Sequence, residues 1–185
     1  GVGVPHNELI GDMIIQNYSW KSFIRQSYRQ GEFPLWNPHL FSGVPFLAAG
    51  QYAALYPFGI LFYVLPVAQA YGWFMALHIF MAGLFTYALV RTFGARPLGA
   101  LIGGLTYMFS AFLVVSFVWP MILSAAVWMP LMVLFIEWVI TAPSRRIVAV
   151  PLGGVALGLH FLAGHLEISF YVLFTMLFYA ATRLL

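Results

Sequence analysis

From Phe33 to Val90 the chain carries no Asp, Glu, Lys or Arg. A stretch of that length without charge cannot build a conventional solvated surface, so hydrocarbon has to cover it. Composition extends the point to the whole chain. Hydrophobic residues make up 63%, aromatics 18% and charged residues only 7%, with a mean hydropathy of +0.92, far from the balance of a water-soluble domain. The expectation is an all-α, polytopic transmembrane helix bundle.

Crossing a bilayer takes roughly 20 apolar residues, and five stretches supply them: Ala70 to Val90, Leu98 to Phe117, Met121 to Ile140, Ile147 to Ala163, and Ile168 to the end. Ala53 to Ala68 is apolar too, but Pro57 and Pro66 leave too short an uninterrupted piece, which predicts a short helix at the interface. The chain therefore divides into residues 1–68, a loop with short amphipathic helices, and residues 69–185, the bundle.

Arginine placement orients the bundle. Arg91, Arg96, Arg145, Arg146 and Arg183 all fall at connections or ends on one side, which the positive-inside rule makes cytoplasmic. Residues 1–68, the Val118-Trp119-Pro120 turn and Gly164-His165-Leu166-Glu167 then lie outside. An odd number of spans entered from outside implies a further span upstream, in keeping with a start that has neither Met nor an apolar leader. The expectation is a multi-pass membrane protein with its arginine-rich side facing the cytoplasm.

Some functions are excluded at once. The chain has no cysteine, so a disulfide framework or thiolate metal site cannot exist. A net charge of +3 without a Lys/Arg run argues against a nucleic-acid partner. Gly1-Val2-Gly3 lacks the spacing of a nucleotide-binding turn. Gly99 and Gly103, and Gly154 and Gly158, stand four apart in apolar segments and read as close helix packing.

Four of the five acids, Glu8, Asp12, Glu32 and Glu167, map to the outside. Asp12 precedes an apolar run that would hold its carboxylate near the bilayer surface, as a base, a metal ligand or a helix N-cap. His6, Glu8 and Asp12 form a loose metal set of no strong signature, so a divalent cation stays open. His165 and Glu167 share a turn on the same side, where ionisable groups beside apolar helices point to function and a solvated turn is the plainer reading. His78 and His160 lie within spans and read as interhelical hydrogen-bonding groups. Glu137 is expected to reach the interface or pair with Arg145 or Arg146.

In the loop, Trp20, Phe23, Ile24 and Tyr28 share one helical face, and Lys21, Arg25 and Arg29 recur on a neighbouring one. That pattern predicts an interfacial helix with its apolar face on lipid and its basic stripe at headgroup level, where it would also meet a lipid-linked phosphate. Phe33-Pro34-Leu35-Trp36-Asn37-Pro38 cannot be regular helix. In it, Trp36 offers a stacking face and Asn37 an amide suited to a sugar, with an interfacial aromatic belt as the alternative for Trp36.

The succession Gly11-Asp12, Gln16, Tyr18, Trp20, then Arg29, Gly31, Pro34-Leu35-Trp36-Asn37-Pro38, Gly43-Val44-Pro45, Gln51 and Tyr56-Pro57 resembles the first external loop of the YfhO-like bacterial membrane proteins. Gly164-His165-Leu166-Glu167 resembles that family's second element, a Gly-His-Pro-Gln or Gly-His-Pro-Glu turn, with Leu166 in place of proline. The resemblance implies a GT-C type glycosyltransferase that moves a sugar from a polyprenyl-phosphate-linked donor to a cell-envelope glycan acceptor on the outer face, with inversion. It implies Asp12 as the catalytic acid. Glu8, Gln16, Gln51, His165 and Glu167 would contact donor or acceptor, and Lys21, Arg25 and Arg29 or a divalent cation would meet the leaving phosphate. The competing readings are a non-catalytic scaffold and a transporter or flippase of lipid-linked intermediates.

Overall fold

A computed structural model describes residues 11–185, so Glu8 and His6 lie outside the described residues. The chain is helical from Gly11, with a π-helical stretch at Met13–Tyr18 that runs on into α1 (Ser19–Arg29). There follow α2 (Ile60–Val64), α3 (Val67–Thr92), α4 (Pro97–Met108), α5 (Ala111–Val115), α6 (Pro120–Ala126), α7 (Met129–Thr141), α8 (Arg146–Leu162) and α9 (Leu166–Leu184). Among the described residues the one departure from an all-α chain is a small antiparallel ladder of β1 (Trp36–Asn37) on β2 (Val44–Pro45). Gly43 makes the return possible. Its φ is +102°, and a Cβ there would sit 2.5 Å from the Trp36 indole.

Among the described residues four stretches are long and apolar enough to cross a membrane: Val67–Thr92, Pro97–Val118, Pro120–Thr141 and Pro143–Leu162. The first three contain the corresponding runs expected from hydropathy. Helix α9 has 19 residues with Glu167 in its first turn and Arg183 in its last, and it is not one of the four.

The third stretch breaks between α6 and α7, and Pro130 is the cause. It has no N–H for the Ala126 carbonyl four residues back, and its ring crowds that oxygen. The Tyr107 hydroxyl takes up the freed acceptor, Ala126 O, at 3.2 Å, as backbone in an apolar interior requires, and His160 Nδ1 donates at 2.9 Å to Ala125 O, which also accepts the Trp128 N–H. His160 therefore does what its place inside a span suggested.

Of the four glycines whose spacing implied close packing, Gly103 alone stands against another helix, and Gly104 beside it comes closer still. The close approach is between α3 and α4, where a Cβ on Gly104 would lie 2.7 Å from Gly83 O and one on Gly103 3.3 Å from Val90. A Cβ on Gly154 or Gly158 would meet nothing within 4 Å, and Gly99 faces only Ala95 of its own connection. Small residues permit close approach, but only a partner helix makes them packing sites.

One end of the bundle gathers the arginines. Trp138 Nε1 donates to Thr92 Oγ1 at 3.3 Å, and Arg145 stands over the Trp138 ring. Glu137 pairs there not with Arg145 or Arg146 but with Arg183, at 2.6 Å, and also accepts the Tyr179 hydroxyl. Its partners come from α9, 42 and 46 residues along the chain.

At the other end the last part of the loop, including Ala53, Tyr56 and Phe62, packs into the core of the bundle. Tyr56 is buried, and its hydroxyl is the middle of a chain of donors: Trp128 Nε1 to Tyr56 Oη at 3.1 Å, Tyr56 Oη to His78 Nε2 at 2.8 Å, and His78 Nδ1 to Phe74 O at 2.7 Å. The carbonyl at Nδ1 can only accept, which places the His78 proton there and leaves Nε2 as acceptor.

Candidate functional site

Asp12 does not cap a helix. Its backbone is already helical, at φ −59° and ψ −37°, and its side chain bonds no backbone N–H. Its carboxylate instead accepts from Trp119 Nε1 at 3.3 Å, while Gln16 Nε2 approaches Oδ1 at 3.4 Å. Trp119 stands in the turn before α6, with Pro120 opening that helix, so a side chain near the start of the chain is fixed by the bundle.

Trp119 also lines a cavity of about 820 Å³ between α4–α5, α6–α7 and α9. Most of its wall is apolar, from Phe112, Val115, Ile122 and Met129, and its polar groups include Ser116, His165, Glu167 and Tyr171. Asp12 touches this space through Trp119.

Gly164 positions His165 and Glu167. Its φ is +86°, and a Cβ there would collide with the Gly50 carbonyl and press on Gln51 and Ala53. The turn before α9 is thereby seated on the loop that carries Gln51. His165 caps α9 by accepting the Ile168 N–H at Nδ1, 3.3 Å away. Accepting at Nδ1 defines the neutral tautomer with its proton on Nε2. Burial pushes the His165 pKa down, and the neighbouring Glu167 carboxylate opposes that in part, so the ring is neutral at physiological pH. Glu167 accepts the Tyr171 hydroxyl at 3.1 Å.

The basic stripe of α1 does not act as a unit. Lys21 is buried, donates from Nζ to Tyr52 O at 2.8 Å, and lies 5.3 Å from the Phe62 ring centroid. Burial lowers its pKa to about 8. Arg25 is half-buried, with its Nε out of solvent and unpartnered, and Arg29 is exposed. The apolar face of the helix rests not on lipid but on the protein's own loop: Ile24 packs with Phe46 and Ala54, Trp20 edges Tyr52 at 4.5 Å, and Phe23 edges Phe46 at 4.9 Å.

The turn around Trp36 is likewise inward-looking in part. Asn37 is buried, and its Oδ1 accepts the His39 N–H at 2.9 Å. The Trp36 indole is half-exposed and lies against Gly43. Neither residue lines the cavity.

His165 and Glu167 line the large cavity together with Trp119, Asp12 is joined to it through the Trp119 indole with Gln16 beside the carboxylate, and Gln51 lies at the seat of the Gly164 turn. Lys21, Arg25, Arg29, Trp36 and Asn37 stand apart. Trp119 and Tyr171 escape sequence reasoning because they become polar partners only through contacts between distant segments, although a Trp in a tight turn between two spans was the available sign. Among the described residues no three His, Asp or Glu side chains form a metal-binding group.

No family model, no curated protein and no solved structure matches the chain.

Proposed function

We propose that the chain belongs to a polyprenyl-phosphate-sugar-dependent glycosyltransferase of GT-C type in the bacterial cytoplasmic membrane, with α9 as a fifth span and residues 1–68 extracytoplasmic. The observation that carries this reading is the Asp12 carboxylate, held by Trp119 beside a large apolar cavity that His165 and Glu167 also line. An enzyme that joins a sugar on a long hydrocarbon carrier to a polar acceptor needs that combination of apolar space and carboxylate. The YfhO-like character of the two segments that meet there, Gly11 to Tyr56 and Gly164 to Glu167, supports the same reading.

In this mechanism Asp12 accepts the proton of the acceptor hydroxyl while that oxygen bonds to the anomeric carbon. The bond from that carbon to the carrier phosphate breaks, its electron pair stays on the phosphate, and one displacement inverts the centre. The Nε2–H of His165, on the cavity wall, is a donor for the departing phosphate, with Arg25, Arg29 or a divalent cation as sources of positive charge. Lys21 is assigned to holding α1 on the loop.

A transporter of lipid-linked intermediates would keep ionisable groups open along a central path. Here Glu137 is engaged by Arg183 and Tyr179, and His78 by Tyr56 and Phe74. Transfer is therefore the stronger reading. In cells carrying the intact protein, Asp12→Asn is expected to abolish sugar addition to the envelope acceptor at unchanged membrane level. Addition undiminished by the substitution would sink the assignment and favour a scaffold.

A further inference from the structure

A second groove, of about 540 Å³, follows α7, α8 and α9 at the arginine-rich end and shares no lining residue with the cavity beside Asp12. Its sides are apolar, including Phe135, Val139, Leu157 and Met176. Its floor is Gly153 and Gly154, and the emptiness around a Cβ built on Gly154 shows that no other part of the described chain fills it. Val150 and Leu184, both exposed, line it as well, so the groove opens on the outer surface of the bundle.

The groove carries one charged residue, Arg146. Its Nε donates to Val139 O at 2.7 Å, which fixes the guanidinium against the wall, and its remaining N–H groups have no partner among the described residues. Arg145 stands beside it over the Trp138 ring at 5.0 Å. The local acid, Glu137, is already taken by Arg183. An unneutralised guanidinium therefore sits on an apolar slot at a helix start, the depth at which a lipid headgroup meets its chains.

We propose that this groove holds one anionic phospholipid, an acyl chain lying over Gly153 and Gly154 and the phosphate on Arg146. Arginine suits the role because its planar fork bonds phosphate oxygens bidentately. The bound lipid would fill space that the helices leave open and tie α8 to α9.

The test uses the intact protein in detergent, titrated with phosphatidylglycerol, with phosphatidylcholine of the same chains, and with inorganic phosphate, read by native mass spectrometry and thermal shift. Phosphatidylglycerol should be retained about fivefold better than phosphatidylcholine, the gain expected for one basic side chain at a headgroup. Arg146→Gln should erase that preference, Arg146→Lys should keep part of it, and Arg96→Gln, outside the groove at the same end, should leave it intact. Gly154→Leu should exclude both lipids, and if that variant does not fold the Arg146 and Arg96 pair decides alone. Equal retention of the two lipids by the unaltered protein, an unchanged preference in Arg146→Gln, or a thermal shift from inorganic phosphate equal to that from phosphatidylglycerol would overturn the proposal. So would a groove closed by a second copy that lipid does not displace.

Discussion

The Trp119 indole donates to the Asp12 carboxylate across 107 residues of sequence, at 3.3 Å. That bond joins the segment before α1 to the turn that opens α6, and it ties to the bundle a carboxylate whose other partner, Gln16, lies on its own helix. Trp119→Phe keeps the ring and removes the donor. A hydrogen bond to a charged group contributes on the order of 1.5–3 kcal/mol, less at a half-exposed site, so Tm should fall by a few degrees and transfer should slow by roughly tenfold at most. Transfer rates on membranes normalised for protein would show it.

Gly164 seats the His165 turn on the Gly50–Ala53 backbone at a positive φ. Gly164→Ala meets two obstacles together, a conformation that L-residues avoid and a carbonyl in the place of the new methyl. The expected loss is about 2–4 kcal/mol, seen as a lower Tm in detergent. Gly154→Ala, which adds its methyl to open space, should be neutral or slightly stabilising.

Tyr56 relays a proton-donor chain from Trp128 to His78 inside the core. Tyr56→Phe leaves the Trp128 N–H without an acceptor and His78 Nε2 without a donor. Stability should fall by about 2–4 kcal/mol, since each buried orphan costs about 1–3 kcal/mol. His78→Ala in the same background should then cost less than it does alone, which a double-mutant cycle measures.

Four of the five expected spans were legible in the sequence because hydropathy is a local property: helices α3 to α7 cover the first three apolar runs and α8 nearly all of the fourth. What could not be read was which residues would meet. The spacing of Lys21, Arg25 and Arg29 describes one helix face, yet the loop that folds over α1 takes Lys21 inside and leaves Arg29 out. Arg145 and Arg146 are near Glu137 in sequence, but α9 brings Arg183 to it. The breaks in the second and third apolar stretches were equally hidden, although Pro130 marked one of them. In the site, Asp12, His165 and Glu167 were identifiable as acids and a histidine near one face. Trp119, which bonds Asp12 and shares the cavity wall with the other two, gave only its place in a tight turn between two spans as a sign.

Lys21 gives a pH dependence. Its pKa falls from 10.5 to about 8 on folding because burial disfavours the ammonium, so the unfolded chain binds that proton more tightly. Stability is then lowest below about pH 8, where the charge must be buried, and rises as pH climbs from about 8 towards 10.5, by roughly 3 kcal/mol at most. Lys21→Met should remove that rise. Chemical unfolding of both proteins at pH 7, 8, 9 and 10 makes the comparison.

The central claim is that Asp12 takes the acceptor's proton during sugar transfer from a lipid-linked donor. The most direct measurement is the release of polyprenyl phosphate from a polyprenyl-phosphate sugar by the intact protein in proteoliposomes containing acceptor, comparing Asp12 with Asp12→Asn. The account predicts acceptor-dependent release that falls by about 10²-fold or more in Asp12→Asn, with folding and reconstitution unchanged. Release at the same rate in both proteins, or none from either in the presence of donor and acceptor, would contradict it.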